Sequence, residues 1–278
     1  SRLHLEPESG EVTIELRNDD GRYTPGVSSV LENGCQIDLS PGCVAPSGNE
    51  VSTGLTFCIE AVEHVASAGK AVVLLHASDG WQSVRHWRAK HQFRWNSSSN
   101  DTCVTDIIAF VLARAGLKLE VISQSGTAAG FYPDFGVNPG ESGTEVIGKL
   151  LSFIPDLLFI EGHKAMLIYP QPGDDSVYSY GTGHSIVAGR YRSSALEFNR
   201  VRVEGEDNDG LPVLADNFTW EGINRAGERP AQITDRNIGT AEAAHLRGEA
   251  VLRKAAIETD AGSVIVPVNC GQQLYDVI

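Results

Sequence analysis

The stretch "ELRNDDGRYTP", residues 15–25, decides how the rest of the chain is read. A strand pattern runs straight into Asn18, Asp19, Asp20, Gly21 and Arg22, and resumes in "GCQIDLSPG", 34–42. An acid-rich turn containing glycine binds calcium, contacts phosphate or turns a hairpin. The choice separates an enzyme, a binding module and a building block. Outward from the turn, Val12, Ile14 and Leu16 alternate with Thr13 and Glu15, the period of a half-buried strand. "CQIDL", "LTFCIEAVEHV" and "AVVLLHA" follow, each bounded by Gly, Pro or Ser. Short strands at this spacing predict a small barrel or sandwich over residues 1–95.

The register changes at "NSSSND", 96–101, a polar linker. Thr102 or Asp101 can cap a helix whose face is Val104, Ile107, Ile108, Val111, Leu112 and Ala115, closed by Gly116. A second helix starts at Ser142, with Glu145 completing a capping box, and its stripe runs Val146, Ile147, Leu150, Leu151, Ile154 to a stop at Pro155. "DLLFIEGHKAMLIYP" reads as a hairpin turning at Glu161–Lys164, so 96–172 is an α/β domain. Strand patterning returns over 173–278 in "ALEFNRVRVEG", "NFTWEG" and "SVIVPVNCG". One helix interrupts it from Thr240, with Ala243, Leu246, Ala250, Val251 and Ile257 inward. The fold class is α+β, mainly β: two small β-barrel-like domains with an α/β domain between them.

Bulk properties narrow the function. The chain has 278 residues, 41% of them hydrophobic, enough for two or three cores. No apolar run approaches the ~20 residues a bilayer span needs, and "SRLHLEPESG" lacks a signal peptide's apolar centre. The first residue is not Met and the last phrase is strand-like, so the sequence reads as a piece of a longer protein. A net charge of -14 repels a polyanion and argues against general nucleic-acid binding. Five cysteines without a CxxC pair suggest neither a disulfide framework nor a zinc site, although a Cys35–Cys43 bridge is conceivable.

The motifs that could carry chemistry are weak. "GTEVIGKL", 143–150, puts Leu150 where a P-loop needs Ser or Thr, and it lies inside an amphipathic helix. "GTGHSIVAG", 181–189, has Ile186 where a dinucleotide fingerprint needs its third Gly, and reads as a turn. "EGEDNDG", 204–210, puts Gly205 at the first ligand position of a calcium loop, which excludes an EF-hand and favours a solvated hairpin tip. His86 and His91 are spaced for neither one strand face nor one helix face. No catalytic residue, cofactor or metal ligand is assigned. "RHWRAKHQFRW", 85–95, interleaves basic and aromatic residues. Arg85, Trp87, Arg88, Phe93 and Trp95 form the candidate interface, preferred over a plain surface strand or a nucleic-acid platform.

The order of the phrases carries more than any one of them. "VTIELRNDDGRYTP", "LENGCQIDLSPG", "TGLTFCIEAVEH" and "VVLLHASDGW" are followed by "DTCVTDIIAFVLARAGL", "ESGTEVIGKLLSFIPDLLFIEGHKAMLIYP", "ALEFNRVRVEG", "TAEAAHLRGEAVLRKA" and "VPVNCGQQLYDVI". This layout resembles the bacteriophage tail hub, or baseplate hub, proteins of the phage late control type. The resemblance implies a non-enzymatic structural protein of a virion tail, assembled in the bacterial cytoplasm. It implies homotrimers whose paired barrel domains form a collar between tail tube and central spike, through which DNA passes without specific binding. Asn18–Arg22 then reads as a hairpin tip between barrel strands. No spike or lysozyme module is recognisable. Two rivals are a carbohydrate- or receptor-binding module stacking sugars on Trp81, Trp87, Trp95 and Trp220, and a hydrolase using Glu204 and Asp207.

Overall fold

A computed structural model describes residues 10–26, 31–46, 48–52, 54–95, 102–171, 173–181, 184–194, 196–207, 209–235, 238–267, 269 and 271–272. The expected linker at 96–101 and the phrase from 273 onward lie outside the described residues. Among the described residues strand accounts for 38% and helix for 23%, so the mixed, mainly β expectation holds. Among the described residues the strands form open sheets and ribbons, and no sheet closes into a barrel.

The first sheet contains β1 (Glu11–Arg17), β2 (Gln36–Leu39), β5 (Leu55–Ser67) and β6 (Lys70–Ser78), in the order β1-β6-β5-β2. A two-stranded ribbon of β3 (Gly42–Ala45) and β4 (Gly48–Val51) stands beside it in sequence. Ala68 and Gly69 join β5 to β6 with φ of 33° and 83°, the positive angles that a tight hairpin turn matching strand twist requires. β1 pairs antiparallel with β6, from Glu11↔Ser78 to Arg17↔Val72. The Asn18–Arg22 turn is therefore not a hairpin tip between paired strands, as the sequence suggested. Alternation fixes which face a residue takes, and says nothing of which strand lies alongside.

The middle layer holds α1 (Trp81–His86), β7 (Phe93–Trp95), α2 (Val104–Arg114), β8 (Lys118–Val121), α3 (Gly126–Gly130), β9 (Phe135–Val137), α4 (Gly143–Leu151), β10 (Leu157–Glu161) and β11 (Lys164–Ile168). The expected stripes of α2 and α4 form its core: Val104, Ile107, Ile108, Val111, Leu112, Val146, Ile147 and Leu150 are all fully buried. The α2 cap is Cys103 rather than Thr102 or Asp101, and the Asp106 carboxylate accepts the Cys103 N–H at 3.3 Å. Gly116 stops the helix at φ 84°. The capping box at α4 is as expected: Ser142 Oγ accepts the Glu145 N–H at 3.2 Å, and Glu145 accepts the Ser142 N–H at 2.8 Å. β10 and β11 form the predicted hairpin, and β11 pairs in parallel with β8. Buried Asp156 ties the layer together, accepting Ser125 N–H at 2.8 Å and Ser125 Oγ–H at 2.5 Å.

The last part contains β12 (Ala188–Ser193), β13 (Arg200–Glu206), β14 (Pro212–Phe218), α5 (Trp220–Ala226), β15 (Pro230–Thr234), α6 (Ala241–Thr259) and β16 (Asp260–Ile265). β13 is the centre of a three-stranded sheet, antiparallel to β14 and parallel to β15. α6 lies across β13 and β14. Its inward face differs from the expectation. Ala243 and Ala250 are buried, Leu246 and Val251 are half-buried, and Ala244, Gly248, Leu252 and Ala255 are the additional buried positions. The Ile257 side chain lies outside the described residues. Gly248 permits the approach, since a Cβ there would sit 1.8 Å from Asn217 Nδ2. Val201, Val203, Ile238, Ala244 and Leu252 share one hydrophobic cluster with the α2 and α4 stripes, and Arg253 donates to Ile154 O at 3.0 Å.

Candidate interface

The Asn18–Arg22 turn satisfies itself. Asn18 is buried, and its Oδ1 accepts the Tyr23 N–H at 2.9 Å. Gly21, at φ 70°, donates its N–H to Asn18 O at 3.0 Å. Asp19 accepts the Ala71 N–H at 3.2 Å and is bonded by the Arg17 side chain, which, with that N–H, holds its carboxyl below the usual range. Asp20 accepts the Arg22 Nε–H at 2.8 Å. These acids already serve the backbone and two neighbouring arginines, so the turn makes shape.

Of the five expected interface residues, the structure packs three, each half-buried, against the middle-layer core. Phe93 and Trp95 on β7 stack with ring centroids 6.3 Å apart, and Phe110 of α2 meets them edge-on at 5.1 and 5.3 Å. Trp95 also lies 6.2 Å from Phe135 of β9, the strand with which β7 pairs. The Arg114 guanidinium caps this cluster 3.8 Å from the Phe110 centroid. Trp87 is half-buried against the same core, and a Cβ on Gly143 would approach it to 3.3 Å. Arg85 and Arg88 are exposed. Arg88 bends back to donate to the Arg85 and Trp87 carbonyls. A basic–aromatic alternation of this kind puts its aromatics toward the core and its charges toward water, and sequence alone leaves open which face an interface would use.

The rival sites are also placed. Trp81 is buried and Trp87 and Trp95 are packed inward, which leaves Trp220, 65% exposed, as the open stacking surface among the four. Glu204 is paired with Arg202 at 3.0 Å. Asp207 Oδ1 accepts the N–H groups of Asp209 and Leu211 at 2.9 and 2.8 Å, the geometry of a turn. The acidic phrase 204–210 thus lies at the β13–β14 hairpin tip, as expected. Cys35, Cys43, Cys58 and Cys103 are free thiols, and burial pushes the Cys58 and Cys103 thiols up. Among the described residues no group of three or more His, Cys, Asp or Glu is arranged to hold a metal. No described helix is long and apolar enough to cross a membrane.

The surface that sequence reasoning missed is on the last sheet. β14 turns Leu214, Asp216 and Phe218 outward, and Phe218 meets Trp220 at 4.9 Å. Asp216 is clamped by Arg200, which also reaches Glu228 at 2.8 Å, and the guanidinium holds the Asp216 carboxyl below the usual range. The alternation of "PVLADNF" was the available signal, because its outward set contains two large apolar residues.

No protein-family model and no curated protein matches the sequence. Solved structures do match. The 43 kDa tail protein of prophage MuSo2 from Shewanella oneidensis aligns over 93% of this chain and 74% of its own, with TM-score 0.57 and 19% identity. The tail protein from Neisseria meningitidis MC58 aligns over 91% of this chain and 74% of its own, with TM-score 0.58 and 13% identity. The chain has the fold of these tail proteins.

Proposed function

We propose that the chain is a structural, non-enzymatic protein of a phage or prophage tail, a baseplate hub whose copies close a ring between tail tube and central spike. One observation carries this reading: the fold likeness to two tail proteins extends over more than nine-tenths of the chain. It is not confined to one common module. The three-part division at 1–95, 96–172 and 173–278 belongs to the same proposal. Within it, residues 81–95 pack with the middle layer. The open sheets supply free strand edges, which neighbouring copies complete. Arg85 and Arg88 remain the outward members of the expected contact. With a net charge of -14, an acidic lumen would let DNA pass without stalling.

Light scattering across a concentration series tests the ring. A mass of three 29.9 kDa chains is expected at high concentration. A chain that stays monomeric to about millimolar, where even weak specific contacts form, would contradict it. So would a solved ring with a basic lumen. The receptor reading now depends on Trp220 and Phe218, and binding on a glycan array that Trp220→Ala abolishes would replace the hub with it.

A further inference from the structure

The β12–β16 ribbon stands apart from every sheet. Among the described residues its strands pair with each other and with no third strand, and every residue of β12 is exposed. The register Ala188↔Ile265, Arg190↔Ser263 and Arg192↔Ala261 puts Arg190 and Arg192 on one face beside Ile265, which is 62% exposed. The opposite face carries Tyr191 and Val264, 73% and 49% exposed. An isolated two-stranded ribbon is marginal in water and needs a third strand and a covered face. Its edges are templates for pairing. Among the described residues neither arginine forms an ion pair, although acids outnumber bases by 36 to 22.

The chain offers a complementary edge. β14 is an outer strand of its sheet, with Leu214 and Phe218 outward, exposed Leu211 at its start and Trp220 just past its end. Two other outer strands are more polar: β1 exposes Glu11, Thr13, Glu15 and Arg17, and β15 exposes Gln232 and Thr234 beside Pro230. The hairpin tip leading into β14 adds Glu206 and Asp209, both exposed and without an ion pair among the described residues.

We infer that the β12–β16 ribbon of one copy adds to the β14 edge of a second copy of this chain. The inference rests on the ring reading and names the surfaces that make it. Backbone pairing extends the three-stranded sheet with the arginine face on the Leu214–Phe218 side, so that Ile265 adds to Leu214 and Phe218 and Arg190 and Arg192 meet Glu206 and Asp209. Ribbon and edge are different surfaces of one chain, so the contact is head-to-tail, the kind that repeats around an axis and closes when the rotation allows.

The test places a photo-cross-linking p-benzoylphenylalanine at Val264 in the full chain and mixes isotope-labelled with unlabelled copies before irradiation. Cross-links between differently labelled chains, landing within residues 206–220, are expected. An oligomer whose cross-links land elsewhere overturns this inference and leaves the ring standing. A chain that neither associates in light scattering nor cross-links between copies overturns both. Expected cross-links in open ladders of copies, without a closed species, support the contact and remove the ring. A charge series sharpens the outcome. R190E/R192E and E206K/D209K should each raise the concentration for half-assembly about tenfold, since like charges then face each other. All four together should restore it. A quadruple variant as weak as either pair overturns the charge matching.

Discussion

The α2–α4 face and the β3–β4 ribbon are built from the same kind of residue and end in opposite environments. Val104, Val111 and Val146 have no exposed surface, whereas Val44 and Val51 are 86% and 64% exposed. The difference is a second layer. α2 and α4 pack on each other and on the strands around them, while the ribbon, like β12–β16, pairs with no further strand among the described residues. Hydrophobic pattern reports what a segment could bury, and the stacking of elements decides whether it does. The apolar residues left outside are the ones an assembly would use.

The comparison breaks most directly by truncating one residue from each side. Leu150→Ala should cost about 3 kcal/mol, because a fully enclosed side chain leaves a cavity its neighbours cannot fill. Val44→Ala should change stability by no more than about 0.5 kcal/mol in the isolated chain. Urea unfolding of both variants measures this. Equal losses would mean that the ribbon is covered in solution even without a partner.

A second contrast lies within the last sheet, between two buried asparagines. Asn199 is fully satisfied, donating to Gly227 O at 2.7 Å and accepting the Arg229 N–H at 2.8 Å. Among the described residues Asn217 has neither Nδ2 nor Oδ1 partnered, and a Cβ on Gly248 of α6 would sit 1.8 Å from its Nδ2. Gly248→Ala would normally gain about 1 kcal/mol of helix propensity. Here the overlap with a buried amide should turn that into a loss of about 2 kcal/mol. In an Asn217→Ala background, where the amide is gone, the same substitution should become stabilising. A double-mutant cycle by urea unfolding reads the sign change. An additive result would show that Gly248 is not held by this contact.

Much of this was legible beforehand, and the boundary of legibility is physical. The stripes of α2 and α4, the Ser142–Glu145 box, the 157–168 hairpin and the acidic 204–210 tip depend on neighbours a few residues apart, which sequence records directly. The β1–β6 pairing and the parallel β13–β15 pair join residues far apart, where alternation is silent about partners. The inward turn of Phe93 and Trp95 needed the position of Phe110, and the added buried face of α6 needed the Gly248–Asn217 approach. Closure into barrels was the expectation that relied wholly on such distant pairings.

The smallest predicted effect compares two carboxylates on opposite sides of their ordinary pKa. Asp79, where the first sheet meets the middle layer, accepts Gly10 N–H at 2.6 Å and Trp81 N–H at 2.9 Å. Burial nevertheless outweighs these bonds and lifts its carboxyl above the usual 3.8. Asp216 lies below 3.8 because Arg200 bonds the ionised form. The folded state therefore holds the Asp79 proton more tightly than the unfolded chain does. Its contribution is fully present below pH 3.8 and is lost as pH rises through the raised value. Asp216 has the reverse sign: its contribution is present above 3.8 and is lost as pH falls through the lowered value. Urea midpoints of the parent, Asp79→Asn and Asp216→Asn, taken between about pH 3 and 6 to bracket both windows, separate the two. The parent's advantage over Asp79→Asn should shrink with rising pH above 3.8, and its advantage over Asp216→Asn should shrink with falling pH below 3.8. Asn also gives up one of the two acceptors at Asp79, which offsets the whole curve without tilting it, so the slope is the quantity to compare. A flat difference for Asp79→Asn would mean that water reaches the carboxyl and that the first sheet meets the middle layer more loosely than α2 meets α4.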